Sequence, residues 1–247
     1  LVRDEWGEHY DPDDYRARDE LLREADMLAE AIDSSNDTEQ KKQLELHAKQ
    51  IERIAIALNA MQAYTLQCEL APQQSLLRPK QIPFMRDICD FLEYDAAERL
   101  GGHAVIPTGV GKTVIFSEMI HTMATAGVRS LVVADTNEQV NQNMGKLYEH
   151  AHGRETNAGI VDKDHKQVGE HVTYTTYASL LIEMRKPPEM RIIKPEDYDL
   201  VVFDEAHLVL GENRRTVINH FKHALKFAFT ATDKYSDDKQ VAILLPH

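Results

Sequence analysis

Short apolar runs separated by helix-length stretches are the feature that most narrows the fold of residues 76–247. The runs are His103-Ala104-Val105-Ile106, Ser130–Ala134, Ala158–Val161, His171–Tyr174, Asp199-Leu200-Val201-Val202-Phe203 and Lys226–Thr230. Each is too short for a buried helix and has the length of a strand. Between them, helices are predicted from the Leu76–Gln81 segment to about Leu100, over Lys112–Thr125 and over Asn137–Ala151. Strands joined by helical crossovers pair in parallel, and helices then cover both faces of the sheet. The expected fold class is therefore α/β with a mostly parallel sheet. Ligands in such folds bind beyond the carboxyl ends of the strands, so the informative residues should follow the strands.

The first such position is Pro107-Thr108-Gly109-Val110-Gly111-Lys112-Thr113, between a strand and a helix. This is the context a phosphate-binding loop requires. Backbone N–H groups surround phosphate oxygens there, and the helix dipole favours the anion. Gly109 and Gly111 allow close backbone approach, with Thr108 and Val110 between and before them. Lys112 is placed to pair with the β- and γ-phosphates, and Thr113 to offer its hydroxyl to Mg²⁺. The strict pattern has Gly at the position of Ile106.

The second position is Val201-Val202-Phe203-Asp204-Glu205-Ala206-His207, a buried strand ending in two carboxylates. After a phosphate loop upstream, Asp204 fits a Mg²⁺ carboxylate. Glu205 fits the group that orients or deprotonates the water attacking a γ-phosphate. ATP and Mg²⁺ are the ligands these residues suit.

Asp204-Glu205-Ala206-His207 resembles the D-E-A-H signature of superfamily-two helicases and translocases. Four further segments resemble motifs of that family's first RecA-like P-loop NTPase domain, in the family's order. Leu77-Arg78-Pro79-Lys80-Gln81 is similar to its upstream L-R-P-x-Q element. Leu131–Val140 is similar to motif Ia, and Val172–Leu180 to the thr-tyr-x-ser-leu segment. Phe229-Thr230-Ala231-Thr232 matches motif III. The branch looks closer to restriction-enzyme-type motors than to D-E-A-D RNA helicases.

The resemblance implies roles residue by residue. Arg78 and Gln81 belong to the nucleotide site, with the Gln81 amide reading the adenine edge. His207, Thr230 and Thr232 couple the ATP site to the rest of the motor. Thr136, Asn137, Thr175 and Thr176 are the positions that meet nucleic acid, by phosphate contacts that position without reading sequence. Basic residues near them in sequence are Arg154, Lys163, Lys166, Arg185, Lys186, Arg191 and Lys194. Asp233 departs from the family, which usually has Pro after T-A-T. The family's motor has a second RecA-like domain with transition-state arginines, worth about 10³–10⁵ in rate in related NTPases. The 15 residues after Thr232 are too few for it.

Residues 1–70 differ in kind. Of a formal net charge of −13, they carry 17 acidic and 8 basic side chains, against 24 and 20 in residues 71–247. Leu21, Ala25, Leu28 and Ile32 share one helical face. Asp37 and Gln40 suit a helix start. Leu44, Ala48, Ile51, Ala55, Leu58, Met61 and Thr65 then make a heptad-like seam. An acidic helical hairpin is expected, followed by a linker at 71–75 and the RecA-like domain at 76–247. The hairpin is either a scaffold arm or a docking surface for a protein partner. No apolar run approaches the roughly 18 residues of a membrane-spanning helix, so no membrane partner is expected. Two cysteines suggest a reducing cytoplasm. An acidic chain argues against a protein whose whole surface binds nucleic acid, but the motor portion is near balance.

These features suit the N-terminal motor domain of an ATP-dependent helicase or translocase acting on nucleic acid, with DNA preferred. An RNA helicase or RNA-sensing ATPase, and a nucleotide-gated interaction scaffold, are the alternatives.

Overall fold

A computed structural model describes residues 16–35, 37–98, 101–205, 212–231, 234–236 and 239–240. Helices α1 (Arg16–Ser34) and α2 (Thr38–Leu70) form the hairpin. The Gln40 N–H donates to Asp37 Oδ1 at 3.3 Å, which caps the start of α2. The Gln40 side chain accepts from Ser35 Oγ at 3.4 Å.

Of the seam expected on α2, Ile51, Leu58, Met61 and Thr65 are buried and Ala55 is half-buried. Ile54, Ala57 and Cys68 are buried as well, so the seam widens into a face. The cause is that α2 packs on α1, on α3 (Ile82–Glu98) and on α4 (Lys112–Ala124) rather than on one partner. Each fully buried aliphatic side chain contributes about 1.5–3 kcal/mol.

Polar ties reinforce this packing. Arg53 donates to both oxygens of Asp199 at 2.9 and 2.7 Å, and Asp199 also accepts the Arg129 N–H at 2.9 Å. Gln50 Nε2 donates to Tyr198 O at 2.8 Å. The Tyr64 hydroxyl donates to Glu118 Oε2 at 2.8 Å. Half of the acidic hairpin is thus a layer of the α/β body.

The sheet has six strands: β1 (Gly102–Val105), β2 (Ser130–Ala134), β3 (Ala158–Val161), β4 (Val172–Thr176), β5 (Leu200–Asp204) and β6 (Leu225–Thr230). Their spatial order is β1-β6-β5-β2-β4-β3, and every neighbouring pair is parallel. Alternation divides the strand side chains between two cores. Val132, Ala134, Val202, Phe227 and Phe229 pack toward the core shared with α2, α3, α4 and α5 (Asn137–Glu149). Leu131, Val133, Val201, Phe203 and Ala228 pack in the core shared with α6 (Tyr177–Arg185) and α7 (Glu212–His220). A short antiparallel pair, β7 (Lys234–Ser236) and β8 (Lys239–Gln240), follows. Among the described residues, no helix is long and apolar enough to cross a membrane.

The strand boundaries differ from the sequence reading chiefly at β4. It runs on to Thr176 because Thr175 pairs with Val161 on one side and Thr176 with Ala134 on the other. Threonine is β-branched and continues a ladder readily.

Candidate active site

Parallel pairing brings all six carboxyl ends to one edge. The register sets Val105 beside Thr230, Phe229 beside Asp204, Phe203 beside Val133, and Ala134 beside Thr176. The phosphate loop leaves β1, the two carboxylates end β5, and the motif Ia turn leaves β2. They share that edge.

The loop needs two left-handed residues. Gly109 has φ +83° and Gly111, the N-cap of α4, has φ +98°. A Cβ at Gly111 would lie 2.6 Å from Gln81 Nε2. Gln81 is therefore packed directly on the loop, and it is only 1% exposed. Its Nε2 donates to Val110 O at 2.9 Å, and its Oε1 accepts the Arg78 N–H at 2.8 Å. Lys80 Nζ donates to Gly109 O at 3.3 Å. Thr108 and the residues of the L-R-P-x-Q element other than Leu77 and Gln81 are exposed. Ile106, at the position where the strict pattern has Gly, is buried, and its N–H donates to Thr230 O at 2.8 Å. There it extends the β1–β6 ladder and packs in the core.

Lys112 joins the two halves of the site across 93 residues of chain. Its Nζ lies 2.8 Å from Asp204 Oδ1 and 2.5 Å from Glu205 Oε1. Burial disfavours the Lys112 cation, but the two carboxylates outweigh it and hold its pKa above the ordinary 10.5. Asp204 is 4% exposed. Its Oδ1 also accepts the Glu205 N–H at 3.0 Å, and its Oδ2 accepts from Asn143 Nδ2 at 2.8 Å. Glu205 itself has φ +54°. A non-glycine residue in that region carries strain of order 1–3 kcal/mol, held here by the ion pair and by the ladder that ends at Asp204.

The donor set suits Mg²⁺. Asp204 and Thr113 offer hard oxygens, and Lys112 now occupies the charge that a cation or a phosphate would take over. Among the described residues, no three His, Cys, Asp or Glu side chains converge on one point. A Mg²⁺ ion here would be shared between few protein oxygens and a nucleotide, which is how that ion is usually held.

The remaining candidates fall in different environments. Thr230 is fully buried at the end of β6, where it pairs with Val105. His207 and Thr232 lie outside the described residues. Thr136 and Asn137 are exposed at the start of α5. Thr136 caps that helix in a reciprocal box: its Oγ1 accepts the Gln139 N–H at 3.2 Å, and Gln139 Oε1 accepts the Thr136 N–H at 3.2 Å. Thr176 caps α6 by accepting the Ser179 N–H at 3.1 Å. Thr175 is fully buried, and its hydroxyl donates to Val161 O at 2.7 Å. It does not share the surface of Thr136 and Asn137.

Several of the basic residues hold the protein together. Arg154 pairs with Glu118, Lys186 with Glu183, and Lys166 donates to Asp162 O. The Arg191 guanidinium donates to the Met184 and Lys186 carbonyls. Lys163 and Arg185 are exposed.

Sequence reasoning missed Asn143 and the buried Glu118 with its half-buried partners Arg154 and Tyr64. A signal existed for the first. Val140, Asn143 and Leu147 recur at three–four spacing, and an amide in a core stripe needs a partner. For Glu118, on the phosphate-loop helix itself, the partners are 54 and 36 residues away and left no pattern.

A family model described as the res subunit of type III restriction enzymes matches residues 43–234. The chain is 26% identical over 182 residues to the XPB helicase/translocase subunit of general transcription and DNA repair factor IIH from Encephalitozoon cuniculi, covering 71% of this chain and 26% of that protein. It is 26% identical over 186 residues to the TFIIH XPB subunit of Trypanosoma brucei brucei, covering 70% of this chain and 19% of that protein. The chain thus spans about a quarter or less of the length of these curated relatives. Among solved structures, the Hef helicase domain of Pyrococcus furiosus is similar with a TM-score of 0.49 and 23% identity, over 65% of this chain and 38% of that one. The parallel sheet, its two helical layers and the phosphate loop after β1 make the architecture RecA-like.

Proposed function

The chain belongs to the family of the res subunit of type III restriction enzymes, and on that premise we propose that it is the ATP-binding motor domain of an ATP-driven DNA helicase or translocase of the D-E-A-H type. The observation that carries this is the convergence of Lys112, Asp204 and Glu205 at the end of β5. The XPB relatives are helicase/translocase subunits, which supports the same reading.

The chemistry is hydrolysis of the γ-phosphate. ATP phosphates draw the Lys112 ammonium away from the carboxylates and onto β- and γ-oxygens. Asp204 and Thr113 would hold Mg²⁺, which when bound neutralises charge on the transferred group. Glu205, released from Lys112, accepts a proton from the attacking water. The loop N–H groups at the start of α4 hold phosphate oxygens. Gln81 is the residue for the adenine edge, which it meets through the second lone pair of Oε1, since its NH₂ donates to the Val110 and Gly111 carbonyls. Thr136 and Asn137, the exposed members of the set, take phosphate contacts along the edge, while Thr176 is buried with its hydroxyl committed to Ser179. His207, Thr230 and Thr232 couple the site to a second RecA-like domain. The buried, unpaired Cys68 and Cys89 suit a cytoplasmic setting. The acidic outer face of the hairpin suits a basic protein partner.

Nucleotide binding and hydrolysis by wild-type and variant chains test this. Lys112→Ala should abolish ATP binding. Glu205→Gln should keep binding and slow hydrolysis by about 10²–10⁴-fold. Duplex DNA should stimulate turnover more than single strands or RNA. Hydrolysis that survives both substitutions would sink the assignment, and stronger stimulation by RNA would move the substrate class.

A further inference from the structure

Asn143 is 2% exposed in the middle of α5, between the buried Val140 and Leu147. An amide in such a stripe is costly unless it is hydrogen-bonded. Its partner is the Asp204 carboxylate, reached at 2.8 Å. A carboxylate paired with lysine only accepts, so the Asn143 NH₂ faces it.

The two oxygens of Asp204 are thereby divided. Oδ2 faces the protein and takes Asn143. Oδ1 faces the phosphate loop and takes Lys112 and the Glu205 N–H. Rotation of the carboxylate would exchange these roles and break the bond to Asn143.

The helix that carries Asn143 is anchored at both ends. Its start is locked by the Thr136–Gln139 box. Near its end, His121 Nε2 donates to Leu147 O at 2.8 Å, and Arg154 joins His150 O to Glu118 on α4. Asn143 sits seven residues after Thr136, about 10 Å along a rigid helix.

We infer that Asn143 is a positioning residue for the metal-binding carboxylate: it fixes the orientation in which Asp204 presents Oδ1 to Mg²⁺, and it ties that orientation to the helix that begins at Thr136 and Asn137. This rests on the ATP–Mg²⁺ reading above. Removing a hydrogen bond to a metal-binding carboxylate typically costs about 10–100-fold in metal affinity.

The test is a Mg²⁺ titration of a fluorescent ATP analogue on the 247-residue chain, with thermal unfolding followed in parallel. Asn143→Leu keeps the volume and removes the donor. Asn143→Ser is the second variant, because its hydroxyl is too short to replace the amide. Both should raise the half-saturating Mg²⁺ concentration by about tenfold or more, while affinity for the analogue in EDTA changes less than twofold. Val140→Ala loosens the same helix without touching Asp204, and it should lower the melting temperature with no Mg²⁺ shift. An unchanged Mg²⁺ dependence in both Asn143 variants overturns the inference, as does an equal shift in Val140→Ala. If wild type binds the analogue and Lys112→Ala abolishes binding, the nucleotide reading stands whatever Asn143 does. If wild type does not bind it at all, both fail.

Discussion

Gly111 shows how much one residue can carry. Its φ of +98° excludes a Cβ on backbone grounds alone, at about 1–2 kcal/mol for alanine. The Cβ would also meet Gln81 Nε2 at 2.6 Å, and Gln81 is pinned by Val110 O and the Arg78 N–H. Gly109 shares the first cost but has open space around it. Gly111→Ala should therefore destabilise the chain by about 2–3 kcal/mol and Gly109→Ala by about 1–2, measured by chemical denaturation. Equal losses would show that Gln81 yields. His121 gives a second residue-scale expectation. Its Nε2 donates to Leu147 O, which leaves Nδ1 to accept from the Thr156 hydroxyl at 2.7 Å. Burial pushes its pKa below the ordinary 6.5, against the raising effect of the Leu147 carbonyl. Below pH 6.5 the unfolded chain then binds more protons than the folded one, so stability present above 6.5 is lost as pH falls. Burial acts on His220 in the same direction. The melting temperature should drop between pH 7.5 and 5.5, and drop less in His121→Gln. Parallel curves for the two proteins would remove His121 from the account.

Among the elements, α2 behaves differently from what its charge suggests. Arg53 reaches the fully buried Asp199 at the start of β5. Arg53→Met keeps the stem and leaves the carboxylate with the Arg129 N–H alone among these partners. Uncompensated buried charge costs several kcal/mol. Arg53 is 31% exposed, so solvent relaxes part of that cost. A loss of about 2–3 kcal/mol on urea denaturation is expected, and a loss under 0.5 would mean the pair is solvated in solution. The six strands of the sheet and helices α1 to α5 were legible because their signals are local, whereas α6, α7 and the β7–β8 pair were not read from the sequence. Leu131–Ala134 and Ala158–Val161 are runs without a charged or polar side chain. The phosphate loop and the carboxylate pair were legible because each is contiguous. What was not legible depends on distant pairing. Nothing in Arg53-Ile54-Ala55 points to Asp199, and nothing in Tyr64 points to Glu118. Thr175 read as a surface hydroxyl because strand length, set by both neighbours, is invisible from one strand. The widened face of α2 has the same origin, since the number of its partners is a property of the fold.

At the scale of the molecule, nucleotide site and edge residues lie on one sheet margin while α2 grips the opposite end of β5. Arg53 holds Asp199 at the strand's start, and Lys112 and Asn143 hold Asp204 at its finish. A truncation beginning at residue 76 would remove the α2 face that packs on α3 and α4, along with Arg53 from Asp199 and Tyr64 from Glu118. It should aggregate or lose cooperative unfolding, whereas a truncation beginning at residue 37 should stay soluble. A soluble, cooperatively melting 76–247 fragment would show that α2 is an accessory. The grip of α2 on β5 also has a kinetic face. Opening of the strand for solvent requires the helix to let go, so the two should trade backbone protons for deuterium together. Native-state exchange is then expected to show Ile51–Met61 and Leu200–Asp204 as one slow unit, with the first turns of α1 exchanging far earlier.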